Sequence, residues 1–355
     1  MTNSWSEYLL VFVGSTGLCA VLTPLAIKIS VRSGVFDYPG DHKAHQSPVP
    51  YLGGAAMVLS FAGAVTVAVF LRQPTSGIAE LVTVLSVAGV LAVVGLADDL
   101  AELSPIWRLV AEVCAALIVW FAVGGVSLSG LPWLDFLFTV FWIVGVANAF
   151  NLLDNMDGLA AGLCAITSMT YFAVASSNGQ FLVAALSIGL AGCGFGFLKH
   201  NFHPARIYMG DSGALFIGFM IAYLGLKLRF EGDVWVSALV PILACSVAIF
   251  DTTLVVISRL LAGRSPFQGG QDHISHRLVR VGLPVPVAVG VIYFGAAAVG
   301  VNAFVISRIE PSSAWILAGG IGMTLVVGGF LLLKIPVYPD GTATHYTITK
   351  RSETA

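Results

Sequence analysis

Charged side chains are scarce in this chain, and their scarcity excludes a water-soluble globular protein. Only 10% of its 355 residues are Asp, Glu, Lys or Arg, whereas 57% are hydrophobic; soluble domains carry about 25% charged residues. The net charge of -2 also leaves no basic surplus of the kind that nucleic-acid-binding proteins use. The composition therefore predicts an integral membrane protein that does not bind nucleic acid.

Cysteine is sparse too, and no two thiols lie at metal-ligand spacing. The five residues are Cys19, Cys114, Cys164, Cys193 and Cys245, each alone in an apolar run. A single cysteine in such a run behaves as a small packing residue. The cysteines therefore predict no thiolate metal site.

The sequence is instead built from repeated apolar runs of about 20 residues, long enough to cross a bilayer as helices. The first run lacks a basic n-region and a small-residue cleavage site, so we expect a retained span and not a signal peptide. We predict an all-α, polytopic integral membrane domain of about eleven transmembrane helices at 1–335, followed by a tail at 336–355. The expected spans are 8–29, 53–71, 78–97, 106–124, 132–150, 158–176, 180–199, 213–229, 234–258, 284–306 and 313–333.

The distribution of Lys and Arg predicts the orientation of these spans. Basic residues in short loops stay on the cytoplasmic side. One side has Lys28, Arg32, Lys43, Arg108, Lys199, Arg206, Arg259, Arg264, Arg277, Arg280, Lys334, Lys350 and Arg351. The other has Arg72, Lys227, Arg229 and Arg308. We therefore expect the first side to be cytoplasmic, with the N-terminus outside and the C-terminal tail inside.

The polar groups that could do chemistry lie mostly in connections on the basic side. The first connection contains Lys43, His45 and the glycine pair Gly53-Gly54 at the start of an apolar run. Cations, imidazoles and glycine amides could hold a phosphate, although an ordinary connector with Pro and Gly turns has the same composition. This segment is a candidate phosphate-binding loop.

Carboxylates follow two of the runs. Asp98 and Asp99 end the third, and adjacent like charges repel unless a cation lies between them. Asn151, Asp154 and Asp157 follow the fifth, and the two aspartates share a face if the segment is helical. Solvated helix ends and helix caps are the structural alternatives. The functional interpretation is a site for a divalent ion or a phosphate.

Two further segments carry candidate groups. Tyr208 and Asp211 precede the eighth run among glycines that let a ligand approach the backbone, and the tyrosine ring can stack on a base; an N-cap role for Asp211 is the alternative. His273 and His276 could ligate zinc at i, i+3, but no thiolate accompanies them. We therefore interpret them, with Arg277, as phosphate-binding groups.

Asp251 lies within the ninth apolar run. An intramembrane carboxylate is costly and pairs with a cation or polar group. A structural pairing and direct chemistry both remain open for this residue.

Taken in order, these segments resemble the polyprenyl-phosphate N-acetylhexosamine-1-phosphate transferase superfamily. The resemblance spans residues 37–282 and rests on the GG loop, the DD pair, NLLDNMDGLAAG, MGDSG and DHISHRL. Eleven spans with an outer N-terminus are similar to the branch that uses UDP-N-acetylhexosamines. The resemblance implies transfer of a sugar 1-phosphate from a UDP-sugar to polyprenyl phosphate, releasing UMP. This would be the first membrane step of a bacterial or archaeal cell-envelope polysaccharide pathway, at the cytoplasmic face.

The resemblance also implies roles for individual residues. Asp211 would be the ligand of Mg²⁺, with Mn²⁺ as an alternative, while Asp98 and Asp99 would serve the metal and the lipid phosphate. The catalytic candidates are Lys43, Asp98, Asp99, Asp211, His273 and His276. The substrate-binding candidates are His45, Asn151, Asp154, Asp157, Tyr208 and Arg277. A homodimer is left open.

Three positions depart from the family pattern. His42 stands where the family has Arg, Asn155 replaces the Gly between the two aspartates, and Ser275 replaces one histidine of the His-rich motif. The carboxylates and two histidines remain, so we expect the reaction class to survive. The departures put the identity of the sugar in doubt.

Two mechanisms and two other protein classes stay open at this point. The lipid phosphate can attack directly, which we favour because it is largely dianionic at pH 7, or an aspartate can form a covalent phosphosugar intermediate. Asp154-x-x-Asp157-Gly158 overlaps the motif of CDP-alcohol phosphotransferases, but the Arg of that motif is absent. A transporter would need charges distributed along a path through the bilayer, whereas these collect at one face.

Overall fold

The computed structural model describes residues 5–38, 47–71, 77–230 and 233–338. Lys43 and His45, the two candidates of the first loop, lie outside these residues. The α-helices of the described part are α1 (Trp5–Ser33), α2 (Gly53–Leu71), α3 (Ile78–Ala101), α4 (Pro105–Ile118), α5 (Pro132–Leu153), α6 (Leu159–Ser177), α7 (Phe181–Asn201), α8 (Gly210–Lys227), α9 (Val234–Ala244), α10 (Ser246–Leu261), α11 (Ile274–Arg280), α12 (Val285–Ile306) and α13 (Pro311–Leu333).

The helices confirm a polytopic membrane protein but not the count of eleven spans. Within the described ranges, nine helices are long and apolar enough to cross a membrane, or up to ten if α9 and α10 form one broken span. Helix α8, which corresponds to the expected span 213–229, is not among them because Asp211 and Lys227 occupy its two ends.

The predicted span 234–258 is broken in the structure. Helices α9 and α10 meet at an angle of 70°, and Cys245 between them leaves helical geometry. Pro241 lies inside α9; proline donates no backbone hydrogen bond, and its ring clashes with the preceding turn. The sequence does not reveal this break, because the apolar run continues across it.

Burial divides the bundle into a protein-lined centre and a lipid-facing rim. In the most apolar 18-residue stretch of each helix, 78% of the residues of α6 and 72% of those of α7 are buried, whereas none of those of α13 is. The buried residues of α8 run almost without interruption from Gly210 to Leu226. Helix α8 is therefore a central helix, and its first turn is held at one end of the bundle by the ends of α3, α4 and α5.

A short antiparallel ribbon is the β structure of the described part, and a π-helical turn, Val119–Val123, follows α4. β1 (Phe36–Asp37) pairs with β2 (Val49–Pro50), with Phe36 opposite Pro50. The carbonyl of Pro50 accepts a hydrogen bond from Tyr208 N at 2.9 Å. The ribbon therefore attaches the connection after α1 to the segment that leads into α8.

Candidate active site

The first turn of α8 is fixed by Asp99. The two oxygens of its carboxylate accept hydrogen bonds from Asp211 N at 2.8 Å and Ser212 N at 3.2 Å. A carboxylate there satisfies amides that have no partner within the helix and complements the positive end of the helix dipole. Gly95, one turn before Asp99, lies so close to the backbone of Asp211 that a side chain would collide with it. These contacts set the position of Asp211.

Asp211 and Asp98 meet on a single guanidinium nitrogen. Arg108 Nη1 bonds to Asp211 Oδ2 and lies 3.0 Å from Asp98 Oδ2. The other oxygen of Asp211 accepts a hydrogen bond from Asn151 Nδ2 at 2.7 Å. The structure therefore brings together the predicted residues Asp98, Asp99, Asn151 and Asp211, which come from three separate segments of the sequence.

Arg108 is a residue of this site that the sequence analysis did not single out. It had been counted among the basic-side residues that set the orientation. A usable signal was present, because Arg108 lies in the first turn of an apolar span, shortly after Asp98 and Asp99. A cation at such a place is costly unless it faces a partner within the bundle.

Asp154 lies at the edge of this group. Burial raises the pKa of Asp154 to about 8, and the neighbouring charges of Asp211 and Asp99 add to the rise. The carboxyl is therefore mostly protonated at pH 7 and can donate a hydrogen bond. Burial, together with Asp99 and Asp211, also raises the pKa of the Tyr51 phenol, which hydrogen-bonds to Asp99. We call Asp98, Asp99, Asp154 and Asp211 the acidic cluster.

Asp157 is bound to the segment that leads into α8. Its Oδ2 accepts a hydrogen bond from Ala205 N at 3.0 Å and lies 2.8 Å from His203 Nδ1. Burial and Asp157 raise the pKa of the Tyr208 phenol, which hydrogen-bonds to the same carboxylate. The predicted pair Asp157 and Tyr208 is thus brought together, with Asp157 in a supporting position for the loop around Tyr208.

The histidines form a second group with its own carboxylate. Asp251 Oδ2 lies 2.7 Å from His273 Nδ1, and its Oδ1 accepts a hydrogen bond from Ile274 N at 2.7 Å. The ring centres of His273 and His276 are 5.9 Å apart. Burial and the charge of His273 lower the pKa of His276 to about 4, so that its ring is neutral at pH 7. The pairing expected for Asp251 is confirmed, and it orients His273.

Arg277 has a structural position. Its side chain is fully buried, and it donates to Asp272 O at 2.9 Å, Ser258 Oγ at 2.7 Å, and the carbonyls of Leu332 and Ile335 at 2.8 and 3.0 Å. These bonds use four of its five N–H groups. Phosphate binding by Arg277 stays a prediction, and this geometry does not support it.

Residues 334–338, which we call the C-terminal strap, pack against residues 272–280, which we call the histidine segment. Asp272 forms a bidentate ion pair with Arg259, with both distances 2.8 Å, and accepts a hydrogen bond from Tyr338 Oη at 2.5 Å. Burial opposes ionisation of Asp272, but the bonds from Arg259 and Tyr338 keep its pKa below the usual range. The described part of the predicted tail is therefore attached to the membrane domain.

The glycine pair of the first loop is not open to a phosphate. Gly53 N donates to Tyr208 O at 3.0 Å, and Gly54 N donates to Met209 O at 2.9 Å. A side chain at Gly54 would collide with Gly213. Both amides serve the packing of α2 against the start of α8, which corrects the interpretation of this pair as a phosphate-binding element.

The carboxylates of the acidic cluster are of the ligand type that Mg²⁺ prefers. Among the residues described, no group of three or more His, Cys, Asp or Glu side chains is arranged to hold a metal. Asp98 and Asp211 do converge on one positive charge. Mg²⁺ is commonly bound by one or two carboxylates together with substrate phosphates and water. The residues therefore fit a cation that arrives with a phosphorylated substrate better than a cage made by protein alone.

Comparison with known proteins agrees with this geometry. The model of glycosyl transferase family 4 matches residues 81–229. A probable undecaprenyl-phosphate N-acetylglucosaminyl 1-phosphate transferase of Bacillus subtilis is 32% identical, over 86% of each chain. A decaprenyl-phosphate N-acetylglucosaminephosphotransferase of Mycolicibacterium smegmatis is 33% identical over 76% of each chain. An undecaprenyl-phosphate alpha-N-acetylglucosaminyl 1-phosphate transferase of Yersinia pestis is 25% identical over 93% of this chain and 91% of its own.

The matches define a membrane-embedded glycosyl transferase of family 4. More specifically, the chain belongs to the polyprenyl-phosphate N-acetylhexosamine-1-phosphate transferase superfamily, as its ordered motifs predicted.

Proposed function

We propose that this protein transfers N-acetylhexosamine 1-phosphate from a UDP-sugar to polyprenyl phosphate, giving polyprenyl-diphosphate-sugar and UMP. The observation that carries the proposal is the convergence of Asp98 and Asp211 on Arg108 at one end of a membrane bundle, with Asn151 bonded to the other oxygen of Asp211. The names of the relatives support the acceptor and the sugar phosphate. Those names do not mention a UDP donor or a UMP product, and both are part of our proposal.

The chemical problem is the approach of one phosphate to another. An oxygen of the lipid phosphate attacks the β-phosphorus of the donor, and the bond to the bridging oxygen breaks, so that UMP leaves with the electron pair. Mg²⁺, held by Asp211 and Asp98, would neutralise the pyrophosphate and stabilise the departing UMP. We favour direct attack because the dianionic lipid phosphate needs little activation at pH 7.

The protein's own groups would bind and orient the substrates and balance the charge of their phosphates. Asp99 fixes Asp211 through the first turn of α8, and Arg108 supplies positive charge beside both metal-binding carboxylates. Protonated Asp154 would donate a hydrogen bond to the nucleotide or to a phosphate oxygen. His273, oriented through Nδ1 by Asp251, would present Nε2 to the donor's phosphates.

The reaction is tested with purified protein in liposomes that contain undecaprenyl phosphate, using a panel of UDP-sugars and a UMP-release readout. We expect UMP release with at least one UDP-N-acetylhexosamine, only when the lipid phosphate and Mg²⁺ or Mn²⁺ are both present. No release with any donor would overturn the proposal. A stoichiometric burst of UMP without acceptor would instead establish the covalent mechanism.

We further propose that the acidic cluster faces the cytoplasm of a bacterial cell. The asymmetry of Lys and Arg between the two sides supports this orientation. A thiol introduced by Ser265→Cys, on an exposed residue between α10 and α11, tests it in a cysteine-depleted background. It should resist membrane-impermeant reagents in intact cells and react in inverted vesicles, and the opposite pattern would reverse the topology.

A further inference from the structure

The segment between α5 and α6 is joined to helix α11 by a hydrogen bond between two residues that have no role in the proposed mechanism. Ser275 Oγ donates to Asn155 Oδ1 at 2.6 Å, across 120 positions of sequence. Asn155 lies between Asp154 and Asp157, and Ser275 lies between His273 and His276. The contact therefore joins the two segments that carry the candidate carboxylates and imidazoles.

The direction of this hydrogen bond is fixed by the rest of the network. Asn155 Nδ2 donates to Leu152 O at 2.7 Å, which turns its Oδ1 toward Ser275. An amide oxygen only accepts, so the single hydroxyl proton of Ser275 points at Asn155. The Ser275 oxygen can then act toward other groups only as an acceptor. His276 Nδ1 lies 3.5 Å from that oxygen, at the long limit of a hydrogen bond.

We propose that Asn155 and Ser275 are a matched pair of positioning residues that set the tautomer and orientation of His276. A neutral imidazole carries its proton on one nitrogen. With the Ser275 oxygen available only as an acceptor, the proton of His276 lies on Nδ1, and Nε2 presents a lone pair. His276 then accepts a hydrogen bond from the substrate, which in the proposed reaction comes from a hydroxyl of the sugar.

The same pair brings together two of the departures from the family pattern. Asn155 stands where the family has Gly, and Ser275 stands where it has His. The structure places the two side chains in direct contact, and Ser275 is only 1% exposed. The side chains at the two departing positions therefore meet at one place in the fold.

The tautomer is tested without any substrate. Nitrogen-15 NMR of histidine-labelled protein in lipid distinguishes a ring protonated at Nδ1 from one protonated at Nε2, and a His276→Gln sample identifies the signal. We expect the Nδ1–H form in the wild type, and a mixture of tautomers in Ser275→Ala and in Asn155→Ala. The Nε2–H form in the wild type, or an unchanged signal in both variants, would overturn the proposal.

The consequence for catalysis rests on the proposed function and is tested by a double-mutant cycle at saturating donor. We expect Asn155→Ala and Ser275→Ala each to lower kcat about tenfold, and the double variant about tenfold and not 100-fold, because both remove the same contact. Ser275→Thr, which keeps the hydroxyl, should recover most of the rate. As a control, Asn155→Ala combined with Thr167→Ala, a distant buried hydroxyl bonded to Ala244 O, should show no coupling.

Additive losses in the Asn155–Ser275 cycle, or wild-type rates in both single variants, would leave the contact a purely structural one and refute its positioning role. A wild type that releases no UMP would contradict the proposed function, while the NMR result would still decide the tautomer. The two failures are therefore distinguishable.

Discussion

The carboxylates at the two ends of the helix bundle differ in how fully hydrogen-bond donors satisfy them. At the end away from the acidic cluster, Glu80 Oε1 accepts a hydrogen bond from Tyr223 Oη at 2.6 Å and lies 2.7 Å from Lys227 Nζ. Asp135 Oδ1 accepts from Leu128 N, Ser129 N and Ser129 Oγ at 2.8 to 3.2 Å. Each of these acids has its own donors, so that each is satisfied within the fold.

At the acidic end, two carboxylates share one cation and others are not fully satisfied. Asp98 and Asp211 share one nitrogen of Arg108, and Asp154 is mostly protonated at pH 7 because its surroundings oppose its charge. One helical turn deeper, buried Glu112 bonds Asn148 through one oxygen, while its Oε1 has no hydrogen-bond partner among the described residues. Folding alone does not favour such a surplus of negative groups. We therefore expect this end, and not the opposite one, to receive a cation and a substrate.

The largest expected effect is at Asp211. Asp211→Asn removes the charge that faces Arg108 and a ligand of the proposed metal, so UMP release should fall by at least about 10⁴-fold. The matched control is Asp135→Asn at the opposite end, which keeps an accepting oxygen and should retain wild-type rates. Near-normal activity of Asp211→Asn at saturating Mg²⁺ would remove this residue from the mechanism.

The histidine group should give the next largest effect. His273→Ala should lower the transfer rate by a factor on the order of 10²–10⁴, because it removes a group held in place by Asp251 for the donor's phosphates. Its melting temperature should fall as well, because buried Asp251 loses the His273 ring and keeps only Ile274 N. Stoichiometric zinc in the purified protein, with a lower melting temperature after chelation, would show a structural metal instead.

Arg108 and Lys227 provide a direct comparison of the two ends. Arg108→Met leaves Asp98 and Asp211 without their shared cation and should slow transfer about 100-fold. Lys227→Met leaves Glu80 bonded to Tyr223 and should leave the rate within about twofold, lowering the melting temperature by about 2 °C at most. Equal losses of activity in the two variants would contradict a functional distinction between the ends.

The smallest effect is a change in pH dependence. The pKa of Asp154 is about 8 in the folded protein and about 3.9 in an unfolded chain. The folded state therefore holds an extra proton between these values, and its stability falls as the pH rises from about 4 to 8. Asp154→Asn cannot titrate, so its melting temperature should fall less between pH 5 and pH 8, by roughly 3 °C. Profiles parallel to the wild type would refute the raised pKa.

Most of the helices, and several residues of the candidate site, could be predicted from the sequence. Spans could be predicted because bilayer thickness imposes a length and a composition. Asp98, Asn151 and Asp211 stood out because polar residues are rare between apolar runs. Their meeting point could not be predicted in the same way, because Arg108 belongs to it only through the packing of α4 against its neighbours.

The remaining errors have a common physical origin. Arg277 and the Gly53-Gly54 pair have the chemistry of phosphate binders, but their donors are used by nearby carbonyls. The 70° break between α9 and α10 is a local backbone event inside a continuous apolar run. Composition reports which groups a segment has, whereas their availability depends on contacts with residues far away in the sequence.

The C-terminal strap has a practical consequence for anyone who handles this protein. Arg277 binds the carbonyls of Leu332 and Ile335, and Tyr338 binds Asp272, next to His273. A purification tag or a fluorescent partner fused directly after residue 333 would remove Ile335 and Tyr338, and with them two of these three contacts. A fusion joined beyond Tyr338 preserves them, so the choice of a cloning boundary five residues apart decides whether the isolated enzyme keeps the C-terminal strap fully attached.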